Sequence, residues 1–233
     1  MGIFSSPGRC SWPPSAGKSR GFARAQAIAQ AIRNNLIRQT SLGPVLLPGA
    51  VGFEREDGLI LNPSYWVLPA LQDLARLEPD QPVWGELIQS GLRLLEQARF
   101  GRWALPPDWI ALKDDALSFP PDFAPRFGYE AIRVPLYLIW AGLGDDKTLK
   151  PFLDYWEQTG PLHPAWVDLI ADTPAPYPAK AGTRSVLALG AFVSPQSSTR
   201  ALRLPDLASE DGYYTAALSL LMEVALKKWC QAQ

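Results

Sequence analysis

At 233 residues, 47% hydrophobic, 19% charged and with a formal net charge of −1, the sequence has the composition of one globular domain with a substantial core. The near-zero charge gives no reason to expect a nucleic-acid partner, whose binding surface needs a clear excess of Lys and Arg on one face. The longest apolar stretch, Val134 to Leu143, is interrupted by Pro135 and falls short of the roughly 20 residues that cross a bilayer, so no membrane span is expected.

The chain opens without acids: Arg9, Lys18, Arg20, Arg24, Arg33 and Arg38 all precede the first carboxylate, Glu54. Residues 1–22 have no amphipathic period and no apolar run of the signal-peptide kind, so they read as a poorly ordered leader. From Ala23 to Gln39 the residues Ala27, Ile28, Ala31, Ile32 and Leu36 fall on one stripe and predict a core-packing helix. The same period predicts helices over 64–77, 82–98, 134–143, 146–160 and 212–231, with a weaker one over 183–192, about seven in all. Pro- and Gly-rich loops such as "GPVLLPGAVGF" and "ADTPAPYPAKAG" join them, and strands are expected only as short pairs inside those loops. Helices in series with long loops on one side make an all-α toroid, solenoid or bundle.

One loop stands out. Residues 102–130 carry Trp103, Trp109, Phe119, Phe123, Phe127 and Tyr129 among five prolines, too many aromatics for a plain connector. Flat aromatic faces beside fixed polar groups such as Asp108 suit sugar rings, whose C–H faces are apolar and whose edges carry hydroxyls. The loop leads into "FGYEAIRVPLYLIWAG" (127–142). Pro135 is harmless only among the first four amides of a helix, so that helix is expected to start near residues 132–134, with Glu130 at its N-terminal end. There the unpaired N–H groups, the helix dipole and Arg133 three residues on favour an ionised carboxylate, able either to activate a water or simply to cap the helix. The two cysteines, Cys10 and Cys230, and the single histidine, His163, have no close-spaced partners of the zinc-site kind, and no phosphate-binding Gly-rich loop occurs; no metal or cofactor is expected.

Taken in order, "GPVLLPGAVGF", "LNPSYWVLPAL", "LPPDWIAL", "FGYEAIRVPLYLIWAG" and "GYYTAALSLL" resemble glycoside hydrolase family 8, above all the endoglucanases that accompany bacterial cellulose synthesis. The resemblance covers the chain from about residue 24 onward, dividing it into a leader (1–22) and a partial family domain (23–233). It implies an (α/α)6 barrel whose open cleft cuts β-1,4-glucan with inversion, and a periplasmic or secreted setting. Glu130 stands where that family usually carries Asp as general base. Tyr129 and Arg133 match the same motif; Asn62 and Tyr65 match the "NPSY" segment, Trp109 the "PPDW" segment, and Tyr213 and Tyr214 the late "YY" pair, all along the sugar cleft by resemblance.

The family's N-terminal third, which bears its general acid, finds no counterpart in this sequence. The expectation is therefore an incomplete toroid whose uncovered apolar faces favour self-association. Three functions stay open: an active endo-β-1,4-glucanase in which Asp108, Asp114 or Asp115 substitutes for the acid, a catalytically inactive glucan-binding remnant, or an all-α interaction protein.

Overall fold

The computed structural model describes residues 16–160, 163–194, 202, 204–206 and 212–232. Its seven helices are α1 (Ala16–Leu36), α2 (Leu68–Leu77), α3 (Val83–Gln97), α4 (Arg133–Trp140), α5 (Asp146–Thr159), α6 (Ala181–Val193) and α7 (Tyr213–Ala232). Each corresponds to a stretch whose apolar period announces it. On α3 the buried residues Trp84, Leu87, Ile88, Gly91, Leu94 and Leu95 recur at helical spacing and face α2. Helix α4 differs: Val134 through Ile139 are all buried, because α2, α6 and α7 pack around it. Pro135 is its third residue, where a missing N–H removes no intrahelical bond.

Two expectations are corrected. Of the leader expected over 1–22, residues 1–15 lie outside the described residues, whereas 16–22 form the first turns of α1. Helix propagates backward from the alanine-rich stretch at little cost once that stretch is nucleated. The second correction concerns strands, which are more than isolated pairs. Strands β1 (Ile37–Thr40) and β2 (Gly43–Leu46) form a hairpin. Strands β3 (Glu54–Arg55), β4 (Gly58–Leu61), β5 (Ile110–Lys113) and β6 (Ala116–Ser118) make a four-stranded antiparallel sheet. Its central pairing joins Leu59, Ile60 and Leu61 to Leu112, Ala111 and Ile110, across a wide sequence gap. A two-residue pair, β7 (Arg126–Phe127) with β8 (Val167–Asp168), completes the set. Thus the long loop over 102–130 is partly sheet.

The core is continuous. Trp84, Leu87, Leu94, Leu136, Leu138, Phe152, Tyr155 and Leu189 are among its fully buried members, and Phe127 packs edge-on against Tyr155. On the other side, Ile28 of α1 and Leu220 and Val224 of α7 are exposed large apolar residues, so these two helices present apolar surface outward. No helix among the described residues is long and apolar enough to cross a membrane.

Helices α6 and α7 are in tight contact at Gly182, where an added Cβ would lie 2.4 Å from the Thr215 carbonyl oxygen and 2.9 Å from Thr215 Cα. Backbone cannot step aside as a flexible side chain can. Gly182→Ala is expected to destabilise the fold by roughly 1–3 kcal/mol, seen in a thermal melt as a fall of about 2–4 °C per kcal/mol; an unchanged midpoint would show that the two helices are not held at this separation.

Candidate active site

The chemistry-bearing turn, residues 128–131, lies between β7 and α4, and a remote carboxylate holds it. Asp108 stands just before β5, is 3% exposed, and donates its own N–H to the Arg126 carbonyl at 2.7 Å. Its Oδ1 accepts three backbone N–H groups: Gly128 at 3.0 Å, Glu130 at 3.1 Å and Ala131 at 2.8 Å. Its other oxygen, Oδ2, lies 3.5 Å from the Arg126 guanidinium. Helix α4 has no capping side chain at Ile132; its entry runs on backbone bonds, Ile132 N–H to the Gly128 carbonyl, Arg133 N–H to that of Glu130 and Val134 N–H to that of Ala131, while Asp108 holds the turn just before it. Burial pushes the Asp108 carboxyl above the usual carboxylate range, opposed by the Ala131 and Gly128 N–H groups and by Arg126. A carboxyl with three backbone partners on one oxygen is an anchor, not an exposed proton donor.

Glu130 projects from this turn. One oxygen, Oε2, is in close contact with Arg133 Nη2, and the Ser64 hydroxyl stands 3.3 Å from it. Arg133 also donates to Ser64 Oγ at 2.8 Å, and Ser64 Oγ donates to Asn62 Oδ1 at 2.7 Å. The 3-10 turn Pro63–Tyr65, in which Asn62 Oδ1 also accepts the Ser64 N–H at 3.0 Å, is thereby tied to the start of α4. Among the described residues no hydrogen bond reaches Glu130 Oε1. The carboxylate is pinned by one oxygen and open at the other, with about a third of its side chain exposed.

Aromatic rings flank it on two sides. Tyr65, 38% exposed, meets Trp109 edge-on at 6.0 Å and has the Arg133 guanidinium 5.7 Å from its ring centre. Phe123 stacks on Trp109 at 4.3 Å and so covers one of its faces. On the other side, Tyr129 is 38% exposed, and its hydroxyl lies 3.2 Å from that of Tyr177, which accepts the Trp166 indole N–H at 2.9 Å. The hydrogen bond with Tyr129 and the Trp166 N–H hold the Tyr177 phenol below its ordinary pKa, while the same bond and burial raise that of Tyr129. Arg126 sits between the Tyr129 and Trp166 rings, 5.7 and 6.0 Å from their centres. The Tyr214 hydroxyl donates to the Tyr129 carbonyl, which fastens α7 to the same turn.

The residues singled out in the sequence are thus brought together unevenly. Glu130, Arg133, Tyr129, Tyr65, Trp109 and Tyr214 converge on the turn. Asn62 is adjacent but 0% exposed, and its side-chain oxygen meets Ser64 instead of the open space beside Glu130. Tyr213 is 90% exposed at the first residue of α7, apart from the group that holds Tyr214. Of the three carboxylates considered as substitute acids, Asp108 is the buried anchor. Asp114 and Asp115 form the β5–β6 turn, both at positive φ, with Asp115 bonded to Ser41. Sequence reasoning missed Ser64, Tyr177 and Trp166; only Ser64, inside a quoted motif, left a signal. Among the described residues no group of three or more His, Cys, Asp or Glu could hold a metal ion.

The family model for glycosyl hydrolases family 8 matches residues 16–228. Among individual proteins, the chain is 40% identical over 204 residues to a probable endoglucanase of Novacetimonas hansenii, covering 86% of this chain and 58% of that one. An endoglucanase of Cellulomonas uda is 35% identical over 170 residues, which is 70% of this chain and 46% of the relative. The solved structure of endo-β-1,4-glucanase CMCax from Acetobacter xylinum superposes with a TM-score of 0.82 at 36% identity, over 92% of this chain and 66% of that chain. The seven helices are accordingly part of the (α/α)6 arrangement of these neighbours, and the chain spans about half to three fifths of the length of these two relatives. By its sequence match over nearly its whole length and by its fold, the chain belongs to glycosyl hydrolases family 8.

Proposed function

We propose that this chain carries the water-activating half of a β-1,4-glucan hydrolase site, with Glu130 as general base. The observation that carries the reading is the asymmetric Glu130 carboxylate. Arg133, itself held by Ser64, fixes Oε2, while Oε1 is left to orient and deprotonate a water beside the half-exposed rings of Tyr65 and Tyr129. Tyr65 and Tyr129 offer flat faces to the apolar sides of successive sugars, and Arg133 holds the Glu130 carboxylate in place. The three relatives described above are endoglucanases, which supports glucan as the substrate class.

Inversion also needs a proton donor on the opposite side of the scissile bond, with the two carboxyls about 6.5–9.5 Å apart. Among the described residues Asp108 anchors the turn, Asp114 and Asp115 lie in the β5–β6 turn, where Asp115 bonds Ser41, and Asp122 pairs with Arg55 at 2.7 Å. On this reading the 233-residue chain binds glucan and cuts it negligibly. A second reading, an all-α interaction protein, draws on the exposed apolar residues Ile28, Leu220 and Val224; it predicts self-association and no affinity for sugar.

Hydrolysis of carboxymethylcellulose by the purified chain is expected to lie at least ~100-fold below that of a full-length relative, since losing proton donation costs roughly 10²–10⁴ in rate. Robust cleavage abolished by Glu130→Ala would show instead that this chain holds its own acid. Calorimetry with cellotetraose should register binding, weakened about 2- to 10-fold by Tyr65→Ala and less by Glu130→Ala, because the base contributes chiefly in the transition state. Absence of heat would leave only the interaction reading. Asp108→Ala, which strands three backbone donors, is expected to cost about 3–5 kcal/mol and to lower the melting midpoint by on the order of 10 °C.

A further inference from the structure

Apolar side chains stand uncovered on the first and the last of the seven helices. On α7, Tyr213, Leu220 and Val224 are exposed, and half-buried Ala217 lies between them. These four recur at intervals of four, three and four residues, which places them on one face. That face is the outward one, since α7 packs on α6 and α4 and its buried side carries Thr215, Leu218, Met222 and Ala225. On α1, Ala23, Ala27 and Ala31 are exposed at steps of four, with exposed Ile28 beside them, while Ala29 is buried and the helix leads against β1.

The spacing says what kind of surface fits. An apolar 4-3-4 pattern is the seam into which a second helix sets its side chains, and alanines at steps of four let another helix come close. Place in the fold narrows the partner further. In a ring of helices laid down in series, α1 and α7 are the two ends of the arc, and the ring is open between them. The chain superposes with a TM-score of 0.82 over 66% of the Acetobacter xylinum glucanase, so the arc already has the curvature of the ring. Charge agrees with a partner there: Arg24, beside the α1 alanines, and Lys227, one turn beyond Val224, have no ion-pair partner among the described residues, so carboxylates on an incoming helix gain contacts at both faces.

We infer that the outer faces of α1 and α7 dock a separate helical polypeptide, which closes the ring and brings a carboxylic acid to the side of the scissile bond opposite Glu130. The docking stands on the two faces alone; the chemistry rests on the proposed glucan reading. In the closed complex the partner's carboxylic acid gives its proton to the departing glycosidic oxygen while Glu130 takes one from the attacking water. The glycosidic C–O bond that breaks is replaced by one to the water oxygen, and no other reactant is consumed. The exposed residues that otherwise favour self-association thus have a defined occupant.

The test produces the 233-residue chain in one cell together with the stretch of the Novacetimonas hansenii endoglucanase that this chain does not match, and weighs the purified product by light scattering. A one-to-one complex is expected, cutting carboxymethylcellulose at least ~100-fold faster than the 233-residue chain alone. Leu220→Asp combined with Val224→Asp, and separately Ala27→Arg, should each weaken the complex about tenfold or more. All three positions face outward, so melting curves of the chain alone should not change; if one variant fails to fold, the other decides. Glu130→Ala should abolish cleavage and leave the complex intact. Absence of a complex, or one indifferent to both variants, would overturn the docking and leave the Glu130 reading to its own sugar-binding test. A dimer of the chain alone, broken by the same substitutions, would make a second copy the occupant and overturn it too. A complex that cuts no faster than the chain alone would overturn the supply of the acid. Cleavage that survives Glu130→Ala would support the docking and sink the Glu130 reading instead.

Discussion

Three N–H groups converge on one oxygen of Asp108, and the placement of everything chemically active follows from that contact. Hydrogen bonds to a charged acceptor are each worth about 1.5–3 kcal/mol when formed, and a buried carboxylate without them is costly. The turn that satisfies Asp108 therefore has little freedom. It leads directly into α4, the helix buried among α2, α6 and α7, so Glu130 is referenced to the centre of the core. Further contacts tighten the frame from outside: Tyr214 on the Tyr129 carbonyl, Tyr177 on the Tyr129 hydroxyl, and Arg133 with Ser64 on Glu130.

The frame also bears on the extra methylene of Glu130 where aspartate is usual for the base in the resembled family. A side chain one carbon longer moves a carboxylate by about 1 Å if it extends, enough to spoil a positioned water. Here the carboxylate meets Arg133 three residues later, and that contact fixes one of its oxygens. The same pair explains why Ser64 matters: its hydroxyl links the arginine to the 3-10 turn, and fully buried Asn62 fixes the hydroxyl.

The helices were legible because a 3.6-residue period writes itself into a single face, as on α3, and because Pro135 restricts where α4 can begin. The four-stranded sheet was not. Its strands are two to four residues long, too short for alternation to register, and its central pairing joins 59–61 to 110–112, which no local window contains. Asp108 shows the same limit on the scale of one residue. Its identity invited a role in proton transfer, yet its function depends on three amides about twenty residues away and on burial, neither of which is encoded nearby. Tyr177 and Trp166 were invisible for a related reason: their meeting with Tyr129 exists only through the tertiary pairing of β7 with β8.

The central claim, that the Asp108 contact holds a rigid turn which presents Glu130 to a sugar, is tested most directly by amide hydrogen exchange of Gly128, Glu130 and Ala131, resolved individually, with and without cellohexaose. The account predicts that these three amides exchange nearly as slowly as the core amides of α4, and that cellohexaose slows them further. Exchange at the rate of an open surface loop, unchanged by the sugar, would contradict it.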